Sequence, residues 1–304
     1  MIRSTKVLSV DFLTEFLDAY EYCEDAKASF TKDLKALIAC DSAREKINEE
    51  LGSYVDKDFD FVASLEAVKP CFSEAGVGEY QGSFIFVAHL SSTMRELFAK
   101  YGIDDAIWFD TMRDLWYKAN ECILIHKVWG TFVATWYRHF FAIRLVAFGR
   151  LQFEEKPFGR VATIKGVVMD ENTPVLSVHI PTTGTPLDRA SFSESYNRAI
   201  KFFKDRYFGG EYAKFICSSW LLSPQHKEML KPDSNILDFA SDFELIHVSY
   251  NEDYKGAWRI FDRSIDMNDL ASLPEDNSLR RGYKKLMLEG KKTASGFGVY
   301  IPEA

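Results

Sequence analysis

One stretch limits what this chain can fold into more than any other: residues 174–222, PVLSVHIPTTGTPLDRASFSESYNRAIKFFKDRYFGGEYAKFICSSWLL. Val175 to Ile180 is a run of β-formers that opens after the turn pair Thr173-Pro174. Pro181-Thr182-Thr183-Gly184-Thr185-Pro186 is too rich in proline, glycine and hydroxyls for regular structure and reads as a loop. Asp188 is a suitable N-cap, and Phe192, Tyr196, Ala199 or Ile200, and Phe203 follow at helical spacing until Gly209-Gly210. Lys214 to Leu222 reads as a second apolar strand. Strand, loop, helix and strand in that order predict a crossover between neighbouring, near-parallel strands. The loop then lies at a helix N-terminus, where unpaired N–H groups and the helix dipole favour an anion. Residues 181–189 are therefore the first candidate site; the alternative is a plain connector.

Before this unit the apolar period is helical. Phe12, Leu13, Phe16, Leu17 and Tyr20 make one face, and Phe30, Leu34, Leu37 and Ile38 another. Ser42 with Glu45 has capping-box spacing and predicts a helix through Leu51. Asp104 or Asp105 caps a helix with the face Ile107, Trp108, Thr111, Met112, Leu115, Trp116, Ala119 and Ile123. A further helix is expected from about Phe132 to Phe148. At Gly149 the period changes. Strands are expected at Leu151–Phe158, Val161–Met169, Glu244–Tyr250 and Thr293–Ile301, with a basic amphipathic helix from Ser278 to Leu288. The change divides the chain into a helical domain, 1–147, and a mixed sheet domain, 148–304, an α+β protein.

Composition enters as a filter. A net charge of −8 excludes a general nucleic-acid binder, which needs a basic surface. The five cysteines show no CxxC and read as reduced thiols of a cytoplasmic protein, and the six histidines are scattered without metal spacing, so no metal is expected. The most apolar region, 122–148, is broken by Lys127, Arg138, His139 and Arg144, which excludes a membrane span. Nucleophile elbow, Walker loop and HExxH are all absent.

The element order from 149 onward, β-β-β-α-β-α-β, resembles the GNAT N-acyltransferase fold. FGRLQFE (148–154), VLSVHIP (175–181), SSWLLSP (218–224), PDSNILDF (232–239) and GYKKLMLEGKKTASGFGVY (282–300) resemble a bacterial family of acyltransferase domain-containing proteins. That family joins a helical N-terminal domain to a GNAT-like C-terminal domain. The resemblance implies acyl-CoA as co-substrate, an amine acceptor of unknown identity, and a pyrophosphate loop at Pro181–Asp188. This loop lacks the paired glycines and the leading basic residue of the pattern Q/R-x-x-G-x-G/A. Thr182, Thr183, Gly184, Thr185 and the late Arg189 are its candidate cofactor contacts.

In such a reaction the amine attacks the thioester, a base takes a proton, and N–H groups hold the oxyanion. Glu154 in the first strand is the candidate base, against a solvated surface carboxylate. His179 ends the central strand beside the expected oxyanion donors, against a hydrogen-bonded core histidine. Ser218 and Ser219 sit where the neighbouring strand would splay, and one of them, Ser218 first, is the candidate to orient a ligand or act as acid to the thiolate, against strand packing. Cys217 is as readily inert as reactive. Arg280, Arg281, Lys284, Lys285, Lys291 and Lys292 form a basic cluster, either a solvated helix face or an anion contact. Three functions stay open: an N-acyltransferase, a catalytically silent protein of the same fold that binds an anionic or acyl ligand, and an interaction module on the helical domain. Oligomeric state is not set by sequence.

Overall fold

The structure, a computed structural model, describes residues 2, 4–251, 254 and 256–302 of the 304. It forms two compact units, Met1–Ala147 and Phe148–Ala304. Among the described residues no helix is long and apolar enough to cross a membrane.

The first unit is helical: α1 (Val10–Ala19), α2 (Glu24–Ala39), α3 (Asp41–Ser53), α4 (Phe61–Glu74), α5 (Glu79–Lys100), α6 (Asp105–His126) and the short α7 (Arg138–Phe141). Its organiser is α5, in which every residue from Gly82 to Met94 is buried. A helix that is covered all round needs neighbours on every side, and α1, α2, α3, α4 and α6 all contact it. Phe30 of α2 stacks on Phe84 of α5 with centroids 3.8 Å apart, and Tyr22 meets both rings edge-on. At Gly82 a Cβ would run into the ring of Phe72, so glycine lets α4 approach α5 closely.

Two local expectations fail here. Cys40, not Ser42, precedes α3 and makes no side-chain cap bond. Only this one residue separates α2 from α3, so α3 starts at Asp41 and the Ser42 hydroxyl donates instead to Glu74 at 2.5 Å. The expected helix 132–148 is a 3₁₀ turn (Ala134–Tyr137), α7 and then a strand. Ile143 stands at φ +54°, while its N–H donates to Phe140 O and that of Arg144 to His139 O, which closes α7 and releases the chain as β structure.

The remaining elements are β1 (Leu145–Phe148), β2 (Leu151–Pro157), β3 (Ala162–Ile164), β4 (Val167–Met169), β5 (Pro174–His179), α8 (Arg189–Arg206), β6 (Phe215–Ser219), α9 (His226–Met229), α10 (Asn235–Ser241), β7 (Glu244–Asn251), α11 (Trp258–Phe261), α12 (Ser278–Leu288) and β8 (Thr293–Tyr300). The sheet order is β1-β2-β5-β6-β8-β7, with β3-β4 a separate two-stranded sheet. The expected strand 161–169 is thus a hairpin: Lys165 and Gly166 both take positive φ, the geometry of a tight two-residue turn. The stretch after β6 turns into a 3₁₀ helix (Trp220–Leu222), because the Ser219 hydroxyl accepts the Leu221 N–H and caps it. β5 and β6 are parallel, joined by α8 as crossover; the ladders β2·β5, β6·β8 and β7·β8 are antiparallel.

α8 buries Phe192, Tyr196, Ala199 and Phe203. Tyr196 meets Phe153, Phe215 and Tyr300 with centroids 6.0, 5.0 and 5.1 Å away, which places this aromatic layer on one face of the sheet. Residues of the opposite parity, Gln152, Glu154, Ser177, His179 and Ser218, share the other face. On that face Val175, Ile216 and Val299 pack with Phe158 and with Ile164 and Met169 of the hairpin.

Two predictions follow from the packing. His89 is wholly buried on α5; its Nδ1 donates to Ile85 O at 2.7 Å, and its Nε2 accepts the Ser9 N–H at 3.1 Å. Burial lowers its pKa from the ordinary 6.5 to about 4, and burial lowers His226 to about 4 as well. Between those values the unfolded chain binds the proton first, so the stability from each neutral imidazole is full above about pH 6.5 and is lost as pH falls toward 4, roughly 3 kcal/mol per group at most. Thermal melts from pH 7 to 5 should therefore fall steadily, and His89→Gln should fall less steeply; parallel slopes would contradict the assignment. Second, the Tyr196 hydroxyl is buried with no hydrogen-bond partner among the described residues. An unmade buried hydrogen bond costs about 1–3 kcal/mol, so Tyr196→Phe should leave the urea midpoint unchanged or raise it, whereas a marked loss would reveal a partner for the hydroxyl.

Candidate functional site

The sheet face opposite α8 carries polar side chains in its interior, which a strand tolerates only when they are paired. Gln152, Glu154 and Ser177 are buried at 2, 7 and 8 % exposure, and His179 is partly open. Antiparallel register sets Gln152 opposite His179 and Glu154 opposite Ser177. Glu154 and His179 are therefore diagonal neighbours, within reach for long side chains, and His179 Nε2 lies 2.9 Å from Glu154 Oε2. The carboxylate is the buried member and the imidazole the more accessible one. Glu155, by contrast, belongs to the opposite parity and stands opposite Leu176.

His179 ends β5 where the sheet opens. β5 pairs with β6 only at Leu176↔Phe215 and Ser177↔Ile216, while β6 pairs with β8 from Phe215 through Ser219. Past Ser177 the parallel ladder stops, and the ends of the two strands carry His179 on one side and Ser218 on the other. Ser218 is exposed, on the same sheet face as His179, in register with Phe297 of β8. Ser219 is committed to capping the 3₁₀ turn. Cys217 points to the α8 side, is wholly buried, and burial pushes its thiol up from the ordinary 9.0 to about 12. Burial and the raised thiol pKa favour the inert reading over the reactive one.

The loop after β5 is internally ordered. Thr183 and Thr185 hydroxyls lie 2.7 Å apart, and the Thr185 N–H donates to Thr183 Oγ1 at 3.2 Å. Gly184 has φ +77°, a conformation that side-chain-bearing residues rarely adopt, and a Cβ there would meet nothing within 4 Å. Gly184 is thus required by the turn of the chain and not by crowding. Asp188 caps α8 by accepting the Ser191 N–H at 2.8 Å. Arg189 is a strut: its guanidinium bonds both carboxylate oxygens of Asp238 and of Asp242 on or just after α10, and lies 4.5 Å from the Phe192 centroid. The hydrogen bond to Asp238 raises its pKa further above the ordinary guanidinium range. These carboxylates surround the one cation that the loop supplies.

Sequence reading missed Arg150. It precedes β2, and its Nη1 donates to the carbonyl of Pro181, the first loop residue, at 2.8 Å. Its own N–H donates to Ser195 Oγ on α8 at 3.0 Å. The signal was present in FGRLQFE, but only strand register reveals that a residue before β2 meets a residue after β5. The basic cluster on α12 resolves differently: Arg280 bonds Asp262 and Asp276, Lys284 faces Glu275, and Lys285 and Lys291 face Glu289. Among the described residues no three His, Cys, Asp or Glu side chains come together as a metal site.

Comparison with known proteins bears on both units. Residues 145–300 match the family model described as GNAT-like C-terminal domain, and residues 11–143 match the one described as N-acyltransferase N-terminal domain. Among solved structures, the chain is similar to an acyltransferase in complex with decanoyl-CoA and teicoplanin: 23% identity, TM-score 0.74, covering 99% of this chain and 90% of that one. It is also similar to a mutant acyltransferase in complex with octanoyl-CoA, at 22% identity and TM-score 0.64, covering 95% of this chain and 99% of that one. These identities establish a shared fold. No curated protein matches in sequence.

Cys217 supplies the prediction. With iodoacetamide at pH 8 the exposed Cys23 should label within the time that native Cys217 stays unmodified, as read by peptide mass spectrometry. Labelling of Cys217 ahead of Cys23 in folded protein would restore it as a candidate nucleophile.

Proposed function

The chain belongs to the GNAT-like C-terminal domain family, and from that premise we propose that it transfers an acyl group from acyl-CoA to an amine. The observation that carries the reading is the Glu154–His179 pair at the end of β5, beside the point where the β5–β6 ladder stops. The thioester would lie in that opening. The amine attacks its carbonyl carbon, a C–N bond forms, and the C–S bond breaks as the tetrahedral intermediate collapses. The proton released by the amine goes to the Glu154–His179 pair. A buried carboxylate beside an imidazole balances the charge that the ring gains, so Glu154 acts with His179 as one base. Backbone N–H groups at the strand ends are the oxyanion donors, and the Ser218 hydroxyl assists the departing thiolate. Thr182, Thr183, Gly184 and Thr185 hold the anionic arm of CoA through N–H groups and hydroxyls. Arg189, through its bonds to Asp238 and Asp242, keeps the start of α8 in place.

Neighbours of the same fold crystallised with decanoyl- and octanoyl-CoA recommend acyl chains of that size as probes. A second reading, a silent protein that binds an acyl or anionic ligand, is favoured by one observation: Asp188 already occupies an N–H at the start of α8. Thiol release from octanoyl-CoA, followed with a panel of amines that includes teicoplanin, separates the two. In the enzyme reading, Glu154→Gln and His179→Ala lower kcat by about 10²–10⁴-fold while the octanoyl-CoA Kd measured by calorimetry stays near wild type. Tight octanoyl-CoA binding without turnover on any amine would support the silent reading, and variants with wild-type kcat would remove the pair from the mechanism.

A further inference from the structure

The sheet face that carries the Glu154–His179 pair also carries a cation that has no part in the transfer step. Arg160 lies in the link between β2 and β3, and its guanidinium stands 4.6 Å from the ring centroid of Phe297 on β8. The backbone before it is fixed: the Phe158 N–H donates to Thr173 O and the Gly159 N–H to Glu171 O, both at 2.9 Å. The Phe158 and Phe297 rings lie side by side, with centroids 6.3 Å apart. Arg160 is exposed, and it forms no ion pair among the described residues. Strand register relates it to the pair. Ser218 is in register with Phe297, and Phe297 with His247 on β7. The pair Ser177↔Ile216, continued by two residues, sets His179 level with Ser218, and Gln152 stands opposite His179. Gln152, His179, Ser218, Phe297 and His247 thus make one row across the sheet, none of them acidic. Neighbouring strands lie about 4.8 Å apart, so Phe297, two strands from His179, is about 10 Å from it along the row.

We propose that Arg160, seated on Phe297, binds a carboxylate of the acceptor, so that the substrate is an acidic amine whose anionic group lies about 10 Å from the attacking nitrogen. The proposal rests on the acyl-transfer reading above and names the acceptor class for that site. A guanidinium that lies over a ring keeps its N–H edge free, and that edge matches a carboxylate in two parallel hydrogen bonds. Cation–π attraction to Phe297 orients the group without neutralising it. A carboxylate of the protein would do the reverse, as Asp238 and Asp242 do to Arg189. With the amine at His179 and the carboxylate at Arg160, the body of the acceptor crosses Ser218, and no acidic side chain of that row repels it.

The test uses octanoyl-CoA as donor and two acceptors that differ in charge at the far end, ω-aminooctanoate and ω-aminooctanamide, whose extended chains span a similar distance. Steady-state kinetics on the full chain give kcat and KM for each with wild type, Arg160→Ala and Arg160→Lys. Wild type should favour the carboxylate by about tenfold to hundredfold in kcat/KM, the worth of one charge-assisted hydrogen bond. Arg160→Ala should erase that preference by raising KM for ω-aminooctanoate, with kcat, the amide kinetics and the octanoyl-CoA Kd unchanged. Arg160→Lys should keep part of the preference, and salt should shrink it in wild type. Equal kcat/KM for the two acceptors in wild type, or equal losses on both in Arg160→Ala, would overturn the proposal. So would a weaker octanoyl-CoA Kd in Arg160→Ala, which would assign the cation to the donor. If octanoyl-CoA binds and no amine of the wider panel is acylated, these two included, the acyl-transfer reading fails and the proposal fails with it. A panel acylated without any carboxylate preference removes the part of Arg160 alone.

Discussion

Tyr196 on α8, wedged among Phe153, Phe215 and Tyr300, is the contact from which the C-terminal unit takes its shape. Full burial of one such ring contributes about 1.5–3 kcal/mol, and Phe192 and Phe203 add theirs on the same helix face. Once α8 covers that side of the sheet, period-2 alternation leaves no choice for the polar residues of β2 and β5. Gln152, Glu154, Ser177 and His179 must occupy the other side. The candidate side chains are thus positioned by hydrophobic packing on the opposite face of the sheet.

The same crossover creates the opening. Two parallel strands joined by a helix need not stay paired along their whole length, and here the ladder holds for two register pairs. β6 keeps its bonds to β8 beyond that point, so β6 continues as part of the sheet while β5 turns off into the threonine loop. A buried carboxylate next to a partly open imidazole sits at the divergence. Burying Glu154 costs free energy unless it is paired, and the 2.9 Å contact with His179 is part of what makes the position tolerable.

Charge at the loop shows how strongly context alters a residue's part. Arg189 follows the N-cap directly and looks, in one dimension, like a phosphate ligand. In three dimensions Asp238 and Asp242 take its guanidinium, though they lie about fifty positions further along the chain. Arg150 shows the reverse: nothing around it in sequence points to the loop, and strand register brings it there. In the basic cluster at and after α12, Arg280, Lys284, Lys285 and Lys291 likewise face carboxylates, those of Asp262, Asp276, Glu275 and Glu289.

Local pattern was enough for whatever depends on neighbours along the chain. The helical period of the first half, the β5–loop–α8–β6 order, the Asp188 cap and a cap at Asp104 or Asp105, of which the structure uses Asp104, were legible, because apolar spacing and capping act within a few residues. It failed where tertiary contacts override local preference: the helix expected at 132–148 gives way at Ile143 to a strand that joins the sheet, and the run 161–169 folds at Lys165-Gly166 into a hairpin that covers Val175 and Ile216. Glu154, His179 and Ser218 could be named as candidates from residue type and position. That Glu154 and His179 share a hydrogen bond, that Ser218 lies past the end of a two-pair ladder, and that Cys217 is sealed beneath α8 were decided only by register and burial. Those two quantities join residues far apart in sequence, and no spacing within the chain encodes them directly.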